Sequence, residues 1–359
     1  MTSVTATETD PGERRGTIKC VVWDLDDTVW DGVLLESPDV ILRPSVVNHL
    51  RELDSVGVLH SIASRNDHDT AMAKLEELGV AEYFLCPQIN WNSKSSSMSA
   101  IAEQLNLGLD AFAFVDDQPF ERAEVGHALP AVTLVDADDI DSVLRGPAFR
   151  PRFVTDESAR RRAIYRGQLD RNRLEREFVG SSEEFLAGLA MRFRIEAARQ
   201  EDLQRAEELT VRTNQLNATG QTYSYRELDE LRRSADHLLL VASLEDRFGD
   251  YGKIGLALVD RNDPNTWVLK LMLMSCRVMS RGVGTILLHH VMRLARDAGA
   301  GLRADFVETG RNRMMQITYA FAGFTEHSRD GDRVVFLAGA DAVPEPPPYV
   351  RVETPQEIS

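Results

Sequence analysis

Asp24, Asp26 and Thr28 close the run Cys20-Val21-Val22-Trp23-Asp24-Leu25-Asp26-Asp27-Thr28, where an apolar stretch gives way to acids at alternate positions. Such a run reads as a buried strand carrying two carboxylates at its carboxyl tip, the edge at which open parallel sheets bind ligands. While the chain stays extended, residues two apart project on one side, so Asp24 and Asp26 would share a divalent cation. One carboxylate can then attack phosphorus while the other moves protons. That division suits phosphoryl transfer, where alignment and charge neutralisation supply most of the rate. The plain alternative is a strand end with solvated acids.

Three later segments bear on the choice. Val58 to Asp67 reads as a second strand whose end offers the Ser64 hydroxyl and the Asn66 amide to phosphate oxygens, with Arg65 between them. Ile89-Asn90-Trp91-Asn92-Ser93-Lys94 places Lys94 before a helix, and Ala111 to Asp117 is another apolar strand ending in the pair Asp116 and Asp117. In this order, Asp24/Asp26, Ser64, Lys94 and Asp116/Asp117 resemble the four motifs of the haloacid dehalogenase-like phosphotransferases.

The elements that must position these residues alternate short apolar runs with helical patterns from residue 17 to about 150, the pattern of a doubly wound α/β sheet. The spacing predicts helical stretches starting at Asn48 and at Asp67, the latter capped by Asp67 or Asp69 and stopped by Gly79. Between Asp31 and Ser45 there is room only for a small flap, a minimal cap. Water exclusion and selectivity must then come from another domain or a partner.

A chain of 359 residues is long enough for about two cores. Its 57 acidic and 41 basic residues give a net charge of -16, which argues against non-specific binding to nucleic acid, whose affinity comes from Lys and Arg on phosphates. Cys20, Cys86 and Cys276 stand far apart with no CxxC pair, so neither a disulfide framework nor a zinc site is expected. Residues 1–16 are polar and read as disordered, without the apolar core of a signal peptide, and no run is long enough to span a bilayer. The expectation is a soluble cytoplasmic protein with no membrane or nucleic-acid partner.

Residues 151–180 hold many arginines, among them Arg162, Arg166 and Arg171, in a predicted linker helix, either a solvated face or a dock for an acidic partner. From 181 to about 340 the pattern changes. Helices are expected at Ser182 to Leu189 and Glu201 to Leu209, strands at Leu238 to Leu244, Ile254 to Val259 and Trp267 to Met274, and a long helix from about Gly282 to Ala298. Strand Leu302 to Val307, helix Asn312 to Ala320 and strand Arg333 to Leu337 follow. Strands leading into a long helix after Ser-Arg-Gly-Val-Gly resemble the GNAT acyltransferase fold, in which a glycine turn and helix N-terminus hold the phosphates of a coenzyme A or pantetheine group. Met279 occupies the first position of that fold's usual signature, with Arg277 and Arg281 on either side. Cys276 ends an apolar strand, stands beside Arg277 and precedes a helix start; the positive charge and the helix N-terminus favour a thiolate, and the plain alternative is an inert packed thiol. Residues 341–359, rich in proline, read as an unstructured or extended tail.

The chain as a whole resembles the FkbH-like glyceryl transferase/phosphatases, which join a haloacid dehalogenase-like domain to a GNAT-like domain. The resemblance rests on Trp23 to Gly32, Ile89-Asn90-Trp91, Phe114 to Arg122, Arg212 to Thr219, Arg247 to Gly252 and Ser275-Cys276-Arg277-Val278, with Asp27 where Asn is frequent and Arg65 where Lys is frequent. It implies an enzyme that takes D-1,3-bisphosphoglycerate, removes both phosphates and places the glyceryl group as a thioester on an acyl carrier protein, for polyketide assembly by way of a methoxymalonyl extender unit. It implies Asp24 as nucleophile, Asp26 as acid/base, and Lys94, Ser64, Arg65, Asn66 and Thr28 around the phosphate. Mg²⁺ would sit on Asp24, the carbonyl of Asp26, and Asp116, and Cys276 would carry the acyl group. Asn214, Asn217, Asp250, Arg277 and Asn312 are candidates to line that second site. The alternative is a Mg²⁺-dependent small-molecule phosphatase whose second domain only binds a carrier.

Overall fold

The computed structural model describes residues 18–151, 153–213, 215–339 and 343–354, apart from the side chain of Cys276. The expected disorder of residues 1–16 and the candidate Asn214 lie outside the described residues. The chain divides into two compact units between Leu169 and Asp170.

The first unit is a five-stranded parallel sheet. Its strands are β1 (Cys20–Trp23), β2 (Leu59–Ser64), β3 (Gln88–Ile89), β4 (Phe112–Asp116) and β5 (Thr133–Asp136), in the spatial order β3-β2-β1-β4-β5. Between them run α1 (Pro44–Ser55), α2 (His68–Glu77), α3 (Lys94–Leu105) and α4 (Pro119–Ala128). Strands buried on both faces read as continuous apolar runs, and β1 shows why. Val21 and Trp23 enter one layer with Leu50, Leu53 and Ile62, while Cys20 and Val22 enter the other with Met98, Ile101 and Phe114. Helix α2 begins as its sequence predicts, with Asp67 accepting from the Thr70 amide at 3.0 Å, and stops before Gly79, whose φ of 69° is left-handed. The only insertion between β1 and α1 is a short hairpin, Trp30–Asp31 against Ile41–Leu42. This is a haloacid dehalogenase-like sheet with a minimal cap. Strand order reverses between β1 and β4, so the ends of those strands form the crevice.

The second unit is built on an eight-stranded mixed sheet with GNAT-like α/β architecture. Its strands are β6 (Met191–Ala197), β7 (His237–Asp246), β8 (Gly249–Asp260), β9 (Thr266–Met274), β10 (Gly301–Val307), β11 (Phe324–Asp330), β12 (Arg333–Ala338) and β13 (Val350–Glu353), ordered β11-β12-β10-β9-β8-β7-β6-β13. Helices α5 (Arg161–Glu177, which holds residues of both units), α6 (Ser182–Gly188), α7 (Leu203–Arg212), α8 (Tyr225–Arg233), α9 (Val283–Asp297) and α10 (Arg313–Phe321) complete the set. Side chains of α9 and α10 cover one face with Phe193, Leu240 and Phe306, and those of α7 and α8 cover the other with Leu239, Leu256 and Leu273.

Strands β9 and β10 pair in parallel from Thr266/Gly301 to Leu269/Ala304, beyond which no pairing between them is recorded. The strand β9 continues instead against the segment 216–218. The Met274 amide donates to the Leu216 oxygen at 2.8 Å, the Ala218 amide to the Met272 oxygen at 2.9 Å, and the Val307 amide to the Ala218 oxygen at 2.9 Å. In the proline-rich tail, residues 350–353 pair in parallel with Met191 to Arg194 as a regular strand. The linker helix is solvated only in part: the Arg173 side chain is 68% exposed, whereas other arginines are turned to the protein. Arg171 is buried, and Arg162 pairs with Asp54 at 2.9 Å and with Glu82 at 3.0 Å, so these arginines are spent inside the chain.

Candidate functional site

The chain leaves the sheet after Asp24, whose amide still donates to the Val115 oxygen at 2.9 Å. The Leu25 oxygen accepts from the amides of Thr28, Val29 and Trp30, and Asp27 takes a left-handed φ of 51°. This bend separates two acids that an extended chain would have kept together. Asp24 turns into the sheet edge, where its Oδ1 receives Lys94 Nζ at 2.5 Å. The Asp26 carboxylate is drawn aside by Trp30 Nε1 at 2.8 Å, the Leu34 amide at 3.1 Å and Asn66 Nδ2 at 3.1 Å. The expectation that both side chains face one cation is therefore corrected: Asp26 keeps its carboxyl for another task, and any ligation by it falls to the main chain. Burial pushes the Asp26 carboxyl above the usual range against the pull of the Leu34 and Trp30 donors, and the charges of Asp24 and Asp27 push the same way.

Lys94 is the first residue of α3, whose N-cap Ser93 accepts from the Ser96 amide at 3.2 Å. Its ammonium also donates to Asp116 Oδ2 at 3.0 Å and to the Ala63 oxygen at 2.8 Å, so all three protons have acceptors. Burial works to lower its pKa, and the Asp24 and Asp116 carboxylates outweigh burial and raise it. Asp116 itself is pushed up to about 6 by burial, against the opposing effect of Lys94 and with the charge of Asp24 adding to the rise. Its neighbour Asp117 joins it: carboxylate oxygens of Asp24, Asp116 and Asp117 lie within 4.8 Å of one another. Thr28 fixes Asp117, accepting from its amide at 3.1 Å. Three hard oxygen donors in that span, gathered on buried or half-buried acids, fit a divalent cation of the Mg²⁺ kind. The adjacent acid in the sequence was the signal for Asp117.

Ser64 and Asn66 flank the crevice from β2, both buried. The Asn66 side chain spans Asp26 and the Asp67 amide, the latter at 2.9 Å. Arg65, its side chain 40% exposed, pairs with Glu121 of α4 at 3.0 Å. The first unit thus brings together Asp24, Asp26, Thr28, Ser64, Asn66, Lys94 and Asp116 of the residues singled out from sequence.

In the second unit, Cys276 begins a 3-10 stretch, Cys276–Arg281, between β9 and α9. Its side chain lies outside the described residues. The turn into α9 passes through Gly282 with φ 73°, where a Cβ would stand 3.0 Å from the Tyr349 hydroxyl oxygen. A cavity of about 60 Å³ adjoins this turn, lined chiefly by Leu216, Met274, Val278, Gly282, Met315 and Thr318. Arg277 directs Nε to Ser275 Oγ at 3.2 Å. The other candidates serve the backbone. Asn312 Nδ2 donates to the oxygens of Asn217, Ala218 and Val307, Asn217 Oδ1 accepts from the amides of Thr219 and Gly220, and Asp250 Oδ1 accepts from the Gly252 amide. Among the described residues Cys20 is a buried free thiol and Cys86 a half-buried one, and burial pushes the Cys86 thiol up to about 11, so neither resembles a nucleophile.

No protein-family profile matches the chain, and no curated protein matches it. Among solved structures, the N-terminal part of a Bacteroides fragilis protein, containing a phosphatase domain complexed with Mg, is 27% identical over 34% of this chain and 38% of that one, with a TM-score of 0.30. A HAD-superfamily hydrolase from Geobacter sulfurreducens is 14% identical over 36% of this chain and 97% of its own, with a TM-score of 0.30. A PaiA N-acetyltransferase from Thermoplasma acidophilum, in complex with coenzyme A, is 17% identical over 41% of this chain and 98% of its own, with a TM-score of 0.31. No helix among the described residues is long and apolar enough to cross a membrane.

Proposed function

We propose that the chain is a glyceryl transferase/phosphatase that moves the three-carbon unit of D-1,3-bisphosphoglycerate onto the phosphopantetheine thiol of an acyl carrier protein, to supply an extender unit such as methoxymalonyl for polyketide assembly. The observation that carries the phosphatase half is the placement of two acids two residues apart in unlike surroundings. Asp24 lies on the Lys94 ammonium, and Asp26 sits in a cradle of indole and amide donors with its carboxyl raised. Unlike environments for paired carboxyls assign one as nucleophile and the other as acid.

Asp24 attacks phosphorus, the phosphorus–oxygen bond to the glyceryl group breaks, and Asp26 gives its proton to the departing oxygen. Asp26 then takes a proton from water as the water oxygen attacks the phospho-aspartate, releasing inorganic phosphate and restoring Asp24. Lys94, the Ser64 hydroxyl and the Thr28-fixed loop hold the phosphoryl oxygens. A Mg²⁺ held by Asp24, Asp116 and Asp117 would supply positive charge against those oxygens. For the acyl half, a Cys276 thiolate attacks the acyl-phosphate carbonyl and phosphate leaves with the bonding pair. The carrier thiolate then displaces Cys276 from the thioester. The slot between Met274, Val278 and α9 supports this reading by offering an apolar pocket next to the turn that carries Cys276.

A second reading has its own support. The amides of Asn217 and Asn312 are spent on the backbone, as in a unit that is structural and only binds a carrier. Intact mass of the protein and of a holo acyl carrier protein, after incubation with Mg²⁺ and freshly generated 1,3-bisphosphoglycerate, separates the two. A glyceryl adduct on both proteins, lost in Cys276→Ala, supports the transferase. Phosphate release with no adduct on either leaves the phosphatase alone.

A further inference from the structure

Helix α10 of the second unit buries Met315 and Tyr319, yet the row beside them is not polar. Met314, Thr318 and Phe321 follow at i, i+4 and i+7, so they line up along one side of the helix. Phe321 is 79% exposed and Met314 41%. Single exposed apolar residues need no explanation. This row differs because one end of it opens into the cavity beside α9. Met314 and Thr318 line that cavity together with Met279, itself 39% exposed, and with the buried Met274 and Val278. An apolar track therefore leads from Phe321 on the surface to the 3-10 stretch that starts at Cys276. Charge marks the same helix. Arg311 and Arg313, on either side of Asn312, are exposed and enter no ion pair among the described residues. Glu308, the acid nearest to them in sequence, is taken by Arg329 at 2.8 Å. Cations at a helix N-terminus work against its dipole, so α10 itself gains nothing from these two.

We propose that this outer side of α10 is the docking face for an acidic, helical carrier protein, set so that the carrier's arm reaches the cavity between α9 and α10. Apolar residues of the carrier cover Met314 and Phe321, and its carboxylates meet Arg311 and Arg313. A single row of side chains along a helix packs well against the ridge of another helix. Methionines at the mouth suit a partner that must dock and leave, because thioether side chains repack at little cost. A second copy of this chain fits worse. A two-fold contact over so short a row turns the arginines of one copy toward those of the other, between chains that each carry -16. The docking face deepens the transferase reading given above and rests on it.

The test uses the full chain and a fluorescently labelled holo acyl carrier protein. Binding is read by anisotropy, and loading by intact mass after charging with freshly generated 1,3-bisphosphoglycerate. Wild type should bind the carrier more tightly at low salt than at high. Arg311→Glu/Arg313→Glu should weaken binding about 10- to 100-fold at low salt and much less at high salt, and Phe321→Ala should weaken it about 10-fold at either. Both variants should keep the wild-type melting temperature, the glyceryl adduct on the enzyme and transfer to free pantetheine. Unchanged carrier binding in both variants, or an equal loss of transfer to pantetheine, overturns the docking face while leaving the transferase standing. A change of oligomeric state by light scattering, with carrier binding kept, overturns it too and assigns the row to a second copy. Carrier binding that the variants lose, on an enzyme that forms no glyceryl adduct, keeps the face and sinks the transferase. A wild type that forms the adduct yet does not bind the carrier sinks the face alone, and one that does neither sinks both.

Discussion

The guanidinium of Arg171 grips the carboxylate of Asp246 with Nε at 2.7 Å and Nη2 at 2.9 Å, both side chains almost wholly buried. Asp246 also accepts from the Phe248 amide and the Tyr251 hydroxyl, and the Arg171 guanidinium lies 3.8 Å from the Tyr251 ring centroid. The pair seats α5 on the β7–β8 hairpin. Arg171→Met leaves Asp246 charged and buried, so denaturant unfolding should show a loss of about 3–5 kcal/mol. Arg171→Met combined with Asp246→Leu should recover most of it. A single variant as stable as wild type would contradict this account.

Lys94 joins Asp24 to Asp116, and without it the two carboxylates lose the ammonium that bridges them. Lys94→Met should cut kcat for phosphate release about 100- to 1,000-fold, the scale of losing one preorganised charge at the reacting centre. Asp24→Asn should go further. It should permit acyl transfer while stalling the second dephosphorylation, so that the mass of the carrier shows a phosphoglyceryl species; a fully dephosphorylated product from that variant refutes the role of Asp24.

Three acids within 4.8 Å also repel one another when no cation is bound. Mg²⁺ should raise the melting temperature, by an amount corresponding to about 2.7 kcal/mol at a hundred times its dissociation constant. Chelation should abolish phosphate release, and Asp117→Asn should weaken the thermal effect. A melting curve indifferent to Mg²⁺ would remove the metal from this cluster.

His60 is buried, accepts from Trp23 Nε1 at Nδ1 (3.1 Å), and contacts the Leu50 oxygen through Nε2 at 3.2 Å. Burial pushes its pKa down to about 3. The unfolded chain binds this proton below about pH 6.5 and the folded chain only near 3, so stability is full above pH 6.5 and falls as pH drops from there towards 3, by up to about 1.4 kcal/mol per unit. Urea midpoints measured from pH 7 to 4 should fall less steeply in His60→Gln. Parallel slopes in the two proteins would show that His60 titrates alike folded and unfolded.

Much of this arrangement was legible because the residues that build it obey local rules. Apolar runs buried on both faces announced β1, β2 and β4, and the Asp67 cap with Gly79 bounded α2. The fate of Asp26 was not, since a period of two holds only while a strand continues, and the bend at Leu25 comes from three amides converging on one carbonyl. Strand β6 was legible too, since Met191 to Ala197 alternates apolar residues with Arg192, Arg194 and Glu196, the period of a half-buried strand, yet no expectation was placed on it. The Arg171–Asp246 pair links residues 75 positions apart, and one arginine among many in a helix carries no mark of being the buried one. Glu121 escaped because its partner is far away in sequence and its burial is set by packing.

The pairing of β13 with β6 has a consequence for how the chain comes off the ribosome. Strand β6 is complete about 160 residues before its outer neighbour is made, so at ordinary synthesis rates its open edge waits for roughly 8 to 30 seconds. An uncovered edge invites pairing with another nascent chain. Arg192 and Arg194 point outward along that edge, and Glu353 later reaches both, at 3.3 and 3.0 Å. The same two charges that the finished strand neutralises serve, until it arrives, as a guard against aggregation.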